Sequence, residues 1–170
     1  MMMLAMGSHA NSIAMFCRQN ELPWSSACSG TDAPAWVFRS IRDTLGKRGC
    51  VVKFPHHTAA ELVAAKRDFI AKVAPPKHLL VNMWDYVVKE PYCCIMRKLV
   101  PAALISAGRI YIAGFSCKDA STLRRGRASG TGVEDSSGTT GVTFAVVIHT
   151  LMRHKPLLFI LEMCWGFYTK

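Results

Sequence analysis

Trp24-Ser-Ser-Ala-Cys-Ser-Gly-Thr-Asp-Ala-Pro-Ala-Trp36 is the stretch on which the fold turns. A short, partly apolar run from Trp24 to Ser29 stops at Gly30, the pattern of a buried strand entering a tight turn. Asp32 then reads as a helix N-cap and Pro34 as an early helical proline. Trp36, Val37, Ile41 and Leu45 recur at helical spacing and supply an apolar face, while Gly46 and Gly49 bracket the exit. Strand, turn and helix thus follow one another within about two dozen residues.

The same alternation continues outward. Residues 51–60 read as extended, since Pro55 breaks any helix there. Residues 61–74 read as helical, with Leu62, Ala65, Phe69 and Val73 on one side and Lys66, Arg67 and Lys72 facing water, until Pro75-Pro76 ends the pattern. His78-Leu-Leu-Val81 is a third strand. Residues 86–107 carry a weak helical pattern cut by Pro91 and Pro101. Arg109-Ile-Tyr-Ile-Ala-Gly-Phe115 is the strongest strand in the chain, and residues 116–141, crowded with Gly, Ser, Thr and Arg, read as a long loop of the kind that is usually functional or disordered. Phe144, Val147, Ile148 and Leu151 mark another amphipathic helix, and after Pro156 residues 157–161 read as a last, buried strand. Strands alternating with helices imply βαβ units. The expected fold is α/β: a Rossmann-like, doubly wound, mostly parallel sheet, here incomplete, over residues 24–170, after a poorly ordered leader over 1–23. Ligands of such sheets sit at the carboxyl ends of strands. That rule singles out Gly30, Glu61, Asn82, Ser116, Cys117 and Glu162.

Composition bounds the rest. A chain of 170 residues, 51% hydrophobic and 19% charged, can bury a real core and is neither disordered nor fibrous. The longest apolar stretch, residues 99–115, contains Pro101 and Arg109 and falls short of the roughly 20 clean residues of a membrane span. The charge of +10 and pI near 9.5 favour polyanionic partners, nucleic acid first. Seven cysteines cannot all pair within one chain. They show no CxxC spacing, and the histidines lack the spacing of a zinc site, so no metal is expected. Reduced thiols suit an intracellular protein, nuclear if the source is eukaryotic.

Three side chains at strand ends are candidates for chemistry. Cys117 follows the strongest strand, where backbone amides and Lys118 would favour thiolate; a buried core cysteine is the competing reading. Glu162 emerges from the apolar run Leu-Leu-Phe-Ile-Leu, a setting that favours the protonated carboxyl; alternatively it is a surface acid past a strand. Glu61 stands at the end of the second strand, where Rossmann-like domains hold ribose hydroxyls, or is a first-turn helix acid. Lys118, Arg124, Arg125 and Arg127 suit phosphate contacts, or form a solvated basic loop.

In order, these segments resemble the cytosine-C5 methyltransferases that use S-adenosylmethionine. Ala27-Cys-Ser-Gly-Thr-Asp-Ala33 resembles the family's first, glycine-rich turn. Glu61 matches the acid that ends strand two, with Leu62 where an apolar residue packs on adenine. His78-Leu-Leu-Val-Asn-Met-Trp-Asp85 resembles the third motif. Gly114-Phe-Ser-Cys-Lys118 resembles the Gly-Phe-Pro-Cys-Gln signature, Ser137-Gly-Thr-Thr-Gly141 sits where the fifth motif falls, and Lys155-Pro followed by Glu162 resembles Lys-Pro…Glu-Asn-Val. The likeness runs from about Trp24 to Phe167. Cys28, Asp32, Asn82, Ser116, Lys118, Met163 and Cys164 depart from the family's usual residues, and the later motifs have no counterpart before Lys170.

The resemblance implies a Cys117 nucleophile that adds to cytosine C6, with Glu162 on the N3 and amino edge of the base. It implies an S-adenosylmethionine site formed by Cys28, Ser29, Gly30, Thr31, Asp32, Glu61, Leu62, Asn82 and Met83. Ser116, Lys118, Ser121, Arg124, Arg125 and Arg127 are expected to contact DNA, or tRNA as in one branch of the family. A non-catalytic remnant that binds the cofactor or nucleic acid, and a basic binding module without a cofactor, stand as alternatives.

Overall fold

The computed structural model describes residues 21–114 and 139–162. Within them the chain alternates strand and helix: β1 (Trp24–Ala27), α1 (Ala33–Lys47), β2 (His56–Ala60), α2 (Ala64–Val73) and β3 (His78–Leu80). A 3-10 turn (Met83–Tyr86) leads to two short strands, β4 (Tyr92–Cys93) and β5 (Lys98–Leu99), and then to a second 3-10 turn (Ala102–Leu104). β6 (Ile110–Gly114), α3 (Thr139–His154) and β7 (Leu158–Glu162) complete the described residues. The strands form one sheet in the order β5-β4-β3-β2-β1-β6-β7. β3, β2, β1, β6 and β7 pair in parallel, and only the β3–β4 and β4–β5 pairs are antiparallel. The fold is therefore mixed α/β and Rossmann-like, with a mostly parallel sheet.

Side-chain alternation along the strands builds two cores. Trp24, Phe38 and Ile110 cluster under α1, and Ala59, Ile70 and Leu79 under α2. On the other face Tyr111 and Ala113 of β6 meet Val146 and Val147 of α3, together with Met83, Tyr86 and Val100. Tyr86, 1% exposed, ties the layers together. Its hydroxyl lies 2.9 Å from the Ser26 carbonyl and 3.0 Å from that of Thr58, so one side chain braces β1 against β2. Gly108, at φ +69, is needed where β6 enters the sheet: a Cβ there would stand 2.6 Å from the Pro23 oxygen, which accepts from the Arg109 amide at 2.7 Å.

Several local expectations change. The segment 86–107 contains the β4–β5 pair, whose two-residue strands are too short to show a period. The described residues hold seven strands, not five. α2 starts at Ala64 rather than at residue 61 and buries Ile70, while Phe69 is 41% exposed. α1 buries Phe38, and Trp36, Val37 and Ile41 point outward. α3 begins at Thr139, inside the stretch read as loop. The chain is also pinned before Trp24, because the Leu22 amide donates to the Lys53 carbonyl at 3.0 Å.

Candidate functional site

The strand order reverses at β1: β2 and β3 extend to one side, β6 and β7 to the other. At such a switch point the connections leave in opposite directions and open a crevice at the carboxyl ends of the strands. The turn after β1 lies there. It is tightly bent, with Cys28 (φ 53), Gly30 (φ 58) and Asp32 (φ 58) all left-handed, a conformation that costs non-glycine residues energy. A Cβ on Gly30 would meet nothing within 4 Å, so the turn faces open space.

Glu61 fixes this turn. Its Oε2 accepts from the Gly30 amide at 2.7 Å and its Oε1 from the Val63 amide at 2.8 Å. Both are charge-assisted bonds to backbone, and the residue is 5% exposed. The Ser29 amide and hydroxyl both reach the Ala60 carbonyl, at 3.2 and 3.1 Å. Arg67 clamps the other side, its guanidinium donating to the carbonyls of Glu61 (2.8 Å) and Leu62 (2.6 Å). The sequence placed Arg67 in water, and no pattern in it signals this clamp. With the backbone so held, Leu62 stands 70% exposed beside the buried acid.

Behind the turn, Asp32 occupies the N-cap position of α1 but makes no side-chain cap. Its carboxylate turns inward instead. Oδ1 accepts from the Ser26 hydroxyl at 2.9 Å, and Ser26 in turn lies 2.8 Å from Ser29 Oγ. Oδ2 stands 3.4 Å from His56 Nδ1 and has no hydrogen-bond partner. Burial, partly offset by Ser26, pushes the Asp32 carboxyl up to about 6. Burial likewise holds His56 down to about 4, so the pair is not a strong ion pair. Cys28 is half-buried, with Sγ 3.7 Å from Met83 Sδ. Burial first, and the Glu61 charge second, push its thiol up to about 11, so it stays protonated at neutral pH. Thr31 is exposed.

The residues after β3 are organised by a capping box. Asn82 Oδ1 accepts from the Trp84 amide at 3.1 Å, and Asp85 Oδ2 from the Asn82 amide at 2.9 Å. The Asn-x-x-Asp spacing could have revealed it. Met83 packs inward at 7% exposure, and Trp84 stays 40% exposed. On the far side of β1, Glu162 ends β7 in register with Gly114 of β6. Its Oε2 lies 2.9 Å from where a Gly114 Cβ would stand. Glu162 is exposed, so the apolar strand does not enclose it as the sequence suggested. Three strand spacings, roughly 14 Å, separate β2 from β7 along this edge of the sheet.

The structure thus brings Cys28, Ser29, Gly30, Thr31, Asp32, Glu61, Leu62, Asn82, Met83 and Glu162 to one edge of the sheet. Ser116, Cys117, Lys118, Ser121, Arg124, Arg125 and Arg127 lie outside the described residues. Among the described residues no group of three or more His, Cys, Asp or Glu could hold a metal ion, and no helix is long and apolar enough to cross a membrane. The described cysteines, Cys28, Cys50, Cys93 and Cys94, are free.

A Rossmann-like sheet with an acid-held glycine turn at its switch point is the general architecture of nucleotide-cofactor domains. No protein-family model matches this sequence. It is similar to a curated protein, DNA (cytosine-5-)-methyltransferase DMT5 of Cryptococcus neoformans var. grubii, with 26% identity over 140 residues. That alignment takes in 81% of this chain and 6% of the relative's length.

Proposed function

We propose that this chain supplies the cofactor-holding and nucleophile-bearing strands of a DNA cytosine-C5 methyltransferase. The observation that carries this reading is the parallel order β3-β2-β1-β6-β7, which brings the Gly30 turn, Glu61 and Glu162 to one crevice. The similarity to a named DNA cytosine methyltransferase over most of the chain supports it.

The edge fits S-adenosylmethionine on its own chemistry. The Gly30 turn opens on free space, Leu62 offers an exposed apolar surface for a purine, and each Glu61 oxygen, used once by a backbone amide, retains a lone pair for a hydroxyl. Cys28, Ser29, Thr31 and Asp32 shape the turn, and Asn82 and Met83 bound the far wall. The cofactor, when bound, supplies an electrophilic methyl group.

The chain's own residues do the rest. A cytosine flipped from the stack enters the crevice. Cys117 thiolate forms a bond to C6, which moves electron density to C5, and Glu162 holds the N3 and amino edge. Once C5 had formed a bond to the methyl group that the bound cofactor would supply, leaving that cofactor as a neutral thioether, the C5 proton would pass to solvent, its electron pair would re-form the C5–C6 double bond, and the Cys117–C6 bond would break to release the thiolate. Ser116, Lys118, Ser121, Arg124, Arg125 and Arg127 contact the DNA, the cations neutralising its phosphates.

The test is covalent trapping. A DNA duplex bearing a mechanism-based cytosine analogue should give an adduct that survives denaturation and disappears in Cys117→Ala. S-adenosylhomocysteine should bind wild type and bind Leu62→Ala roughly tenfold more weakly, as expected for loss of a buried aliphatic contact. Cofactor binding without any adduct would instead identify a non-catalytic remnant, and an adduct on tRNA alone would move the substrate to RNA.

A further inference from the structure

A cleft of about 400 Å³ opens at the opposite end of the sheet, where β1 and β2 begin. It lies between α1 and the end of α2, so none of the carboxyl-edge residues above lines it. We propose that this cleft binds a small aromatic carboxylate: a flat apolar body carrying one anionic group.

The wall is aromatic. The rings of Trp24 and Phe38, and of Phe38 and Phe54, have centroids 5.0 Å apart, and His56 stacks on Trp24 at 3.8 Å. His56 is 9% exposed at its side chain, and its Nε2 has no hydrogen-bond partner. The rim is cationic: Arg39, Arg42 and Lys53 line the cleft, against Glu21 as the single acid lining it among the described residues. The rim cations are only loosely engaged. Arg42 pairs with Asp43 at 2.9 Å and Lys53 with Glu21 at 3.1 Å, all four side chains more than half exposed, and such surface pairs contribute little. The Arg39 guanidinium rests 5.0 Å over the exposed Trp36 ring. Arg39 and Arg42 lie one helical turn apart, so both can swing to one anion, and guanidinium groups bind carboxylates in a bidentate fork. An apolar cavity of this size with a few convergent charges is the usual form of a small-ligand site.

The test is titration of the whole chain with naphthalene-2-carboxylate, followed by amide NMR, beside the neutral naphthalene-2-carboxamide. Saturable shifts centred on Phe38, Arg39, Arg42, Lys53 and Phe54 are expected, with the amide at least tenfold weaker. Arg39→Gln combined with Arg42→Gln should lose a similar factor while leaving the melting temperature unchanged, because both side chains are on the surface. Equal affinity for the amide, binding unchanged in the double variant, shifts centred on β7 or the Gly30 turn, or no saturation at millimolar concentration would each overturn the proposal.

Discussion

β1 and β7 invert the usual relation between hydropathy and burial. β1 is Trp-Ser-Ser-Ala and is buried at all four positions; β7 is Leu-Phe-Ile-Leu-Glu, yet Leu158, Phe159 and Ile160 are 51%, 53% and 49% exposed. Position in the sheet decides the outcome. β1 lies between β2 and β6 with helices on both faces, while β7, among the described residues, pairs with β6 alone and stands at the edge of the sheet. The central strand tolerates serines because each hydroxyl is satisfied. Ser25 Oγ donates to the Ser106 carbonyl at 2.9 Å and accepts from the Thr58 amide at 3.2 Å, and Ser26 serves Asp32. A buried polar group with its bonds made costs little. An apolar edge strand carries the opposite liability, an open row of backbone groups beside bare side chains.

Substitutions at the two strands should differ most. Trp24→Ala removes a 2%-exposed indole stacked on His56 and should destabilise by about 3–5 kcal/mol. Phe159→Ala should cost less than about 1 kcal/mol, since half of that ring is already in water. Urea midpoints measure both, and equal losses would mean that β7 is as enclosed as β1.

Next in size is an acid limb that originates in β2 and β3. His56 and His57 are both held down to about 4 by burial, with His78 and Lys77 adding repulsion at His57. His78 is also lowered, chiefly by burial and then by Lys77. Unfolded histidine titrates near 6.5, so between about pH 6.5 and 4 the unfolded chain binds more protons and stability falls as pH falls. Asp32 opposes this: its carboxyl at about 6 gives the folded state the extra proton between about pH 6 and 3.8. Two or more histidines outweigh one carboxyl, so the melting temperature should drop from pH 7 to pH 5. A flat profile would show that the histidines gain compensating partners.

Asp32→Asn refines the same region. At pH 7.5 the wild-type carboxylate is charged in a dry site with Oδ2 unpartnered. The amide, which tolerates a left-handed backbone, should therefore stabilise by an amount on the order of 1–3 kcal/mol. The gain should shrink toward pH 5 as the wild-type carboxyl takes up its proton, and a pH-independent gain would assign it to some other cause. The smallest effect on stability belongs to Ile160→Lys. It should leave the urea midpoint nearly unchanged but reduce self-association in sedimentation at high concentration, because a charge on an edge strand blocks strand pairing.

The alternation of elements was legible in the sequence because turn chemistry punctuates it: Gly30 and Pro34 around the first turn, Pro75-Pro76 after α2, Pro156 before β7. Which helical face turns inward was less legible. In α1 the apolar residues Trp36, Val37, Phe38 and Ile41 surround much of the helix, and only packing over Trp24 selects Phe38. The carboxyl-edge positions of Glu61 and Glu162 followed from strand ends alone. Glu61's capture of Gly30 and the inward turn of Asp32 did not, since both depend on the register of β1 against β2 across some 30 residues of chain. Arg67 is the clearest case: on a helix that also carries Lys66 and Lys72, nothing marks one cation as a backbone clamp.

The placement of β1 also sets a timetable for synthesis. β1 finds its first neighbour in β2, yet its other edge waits for β6, with Trp24 registering on Ile110. At ribosomal speeds of about 5–20 residues per second, that edge stays open for roughly 4–17 seconds. During that interval the strand exposed to the cell is Trp-Ser-Ser-Ala, whose hydroxyls can bind water, and not Leu-Phe-Ile-Leu, which emerges only after β6 is available to receive it. The strand whose longest-range pairing is delayed is thus the one that carries serines, not aliphatic side chains, at its two middle positions.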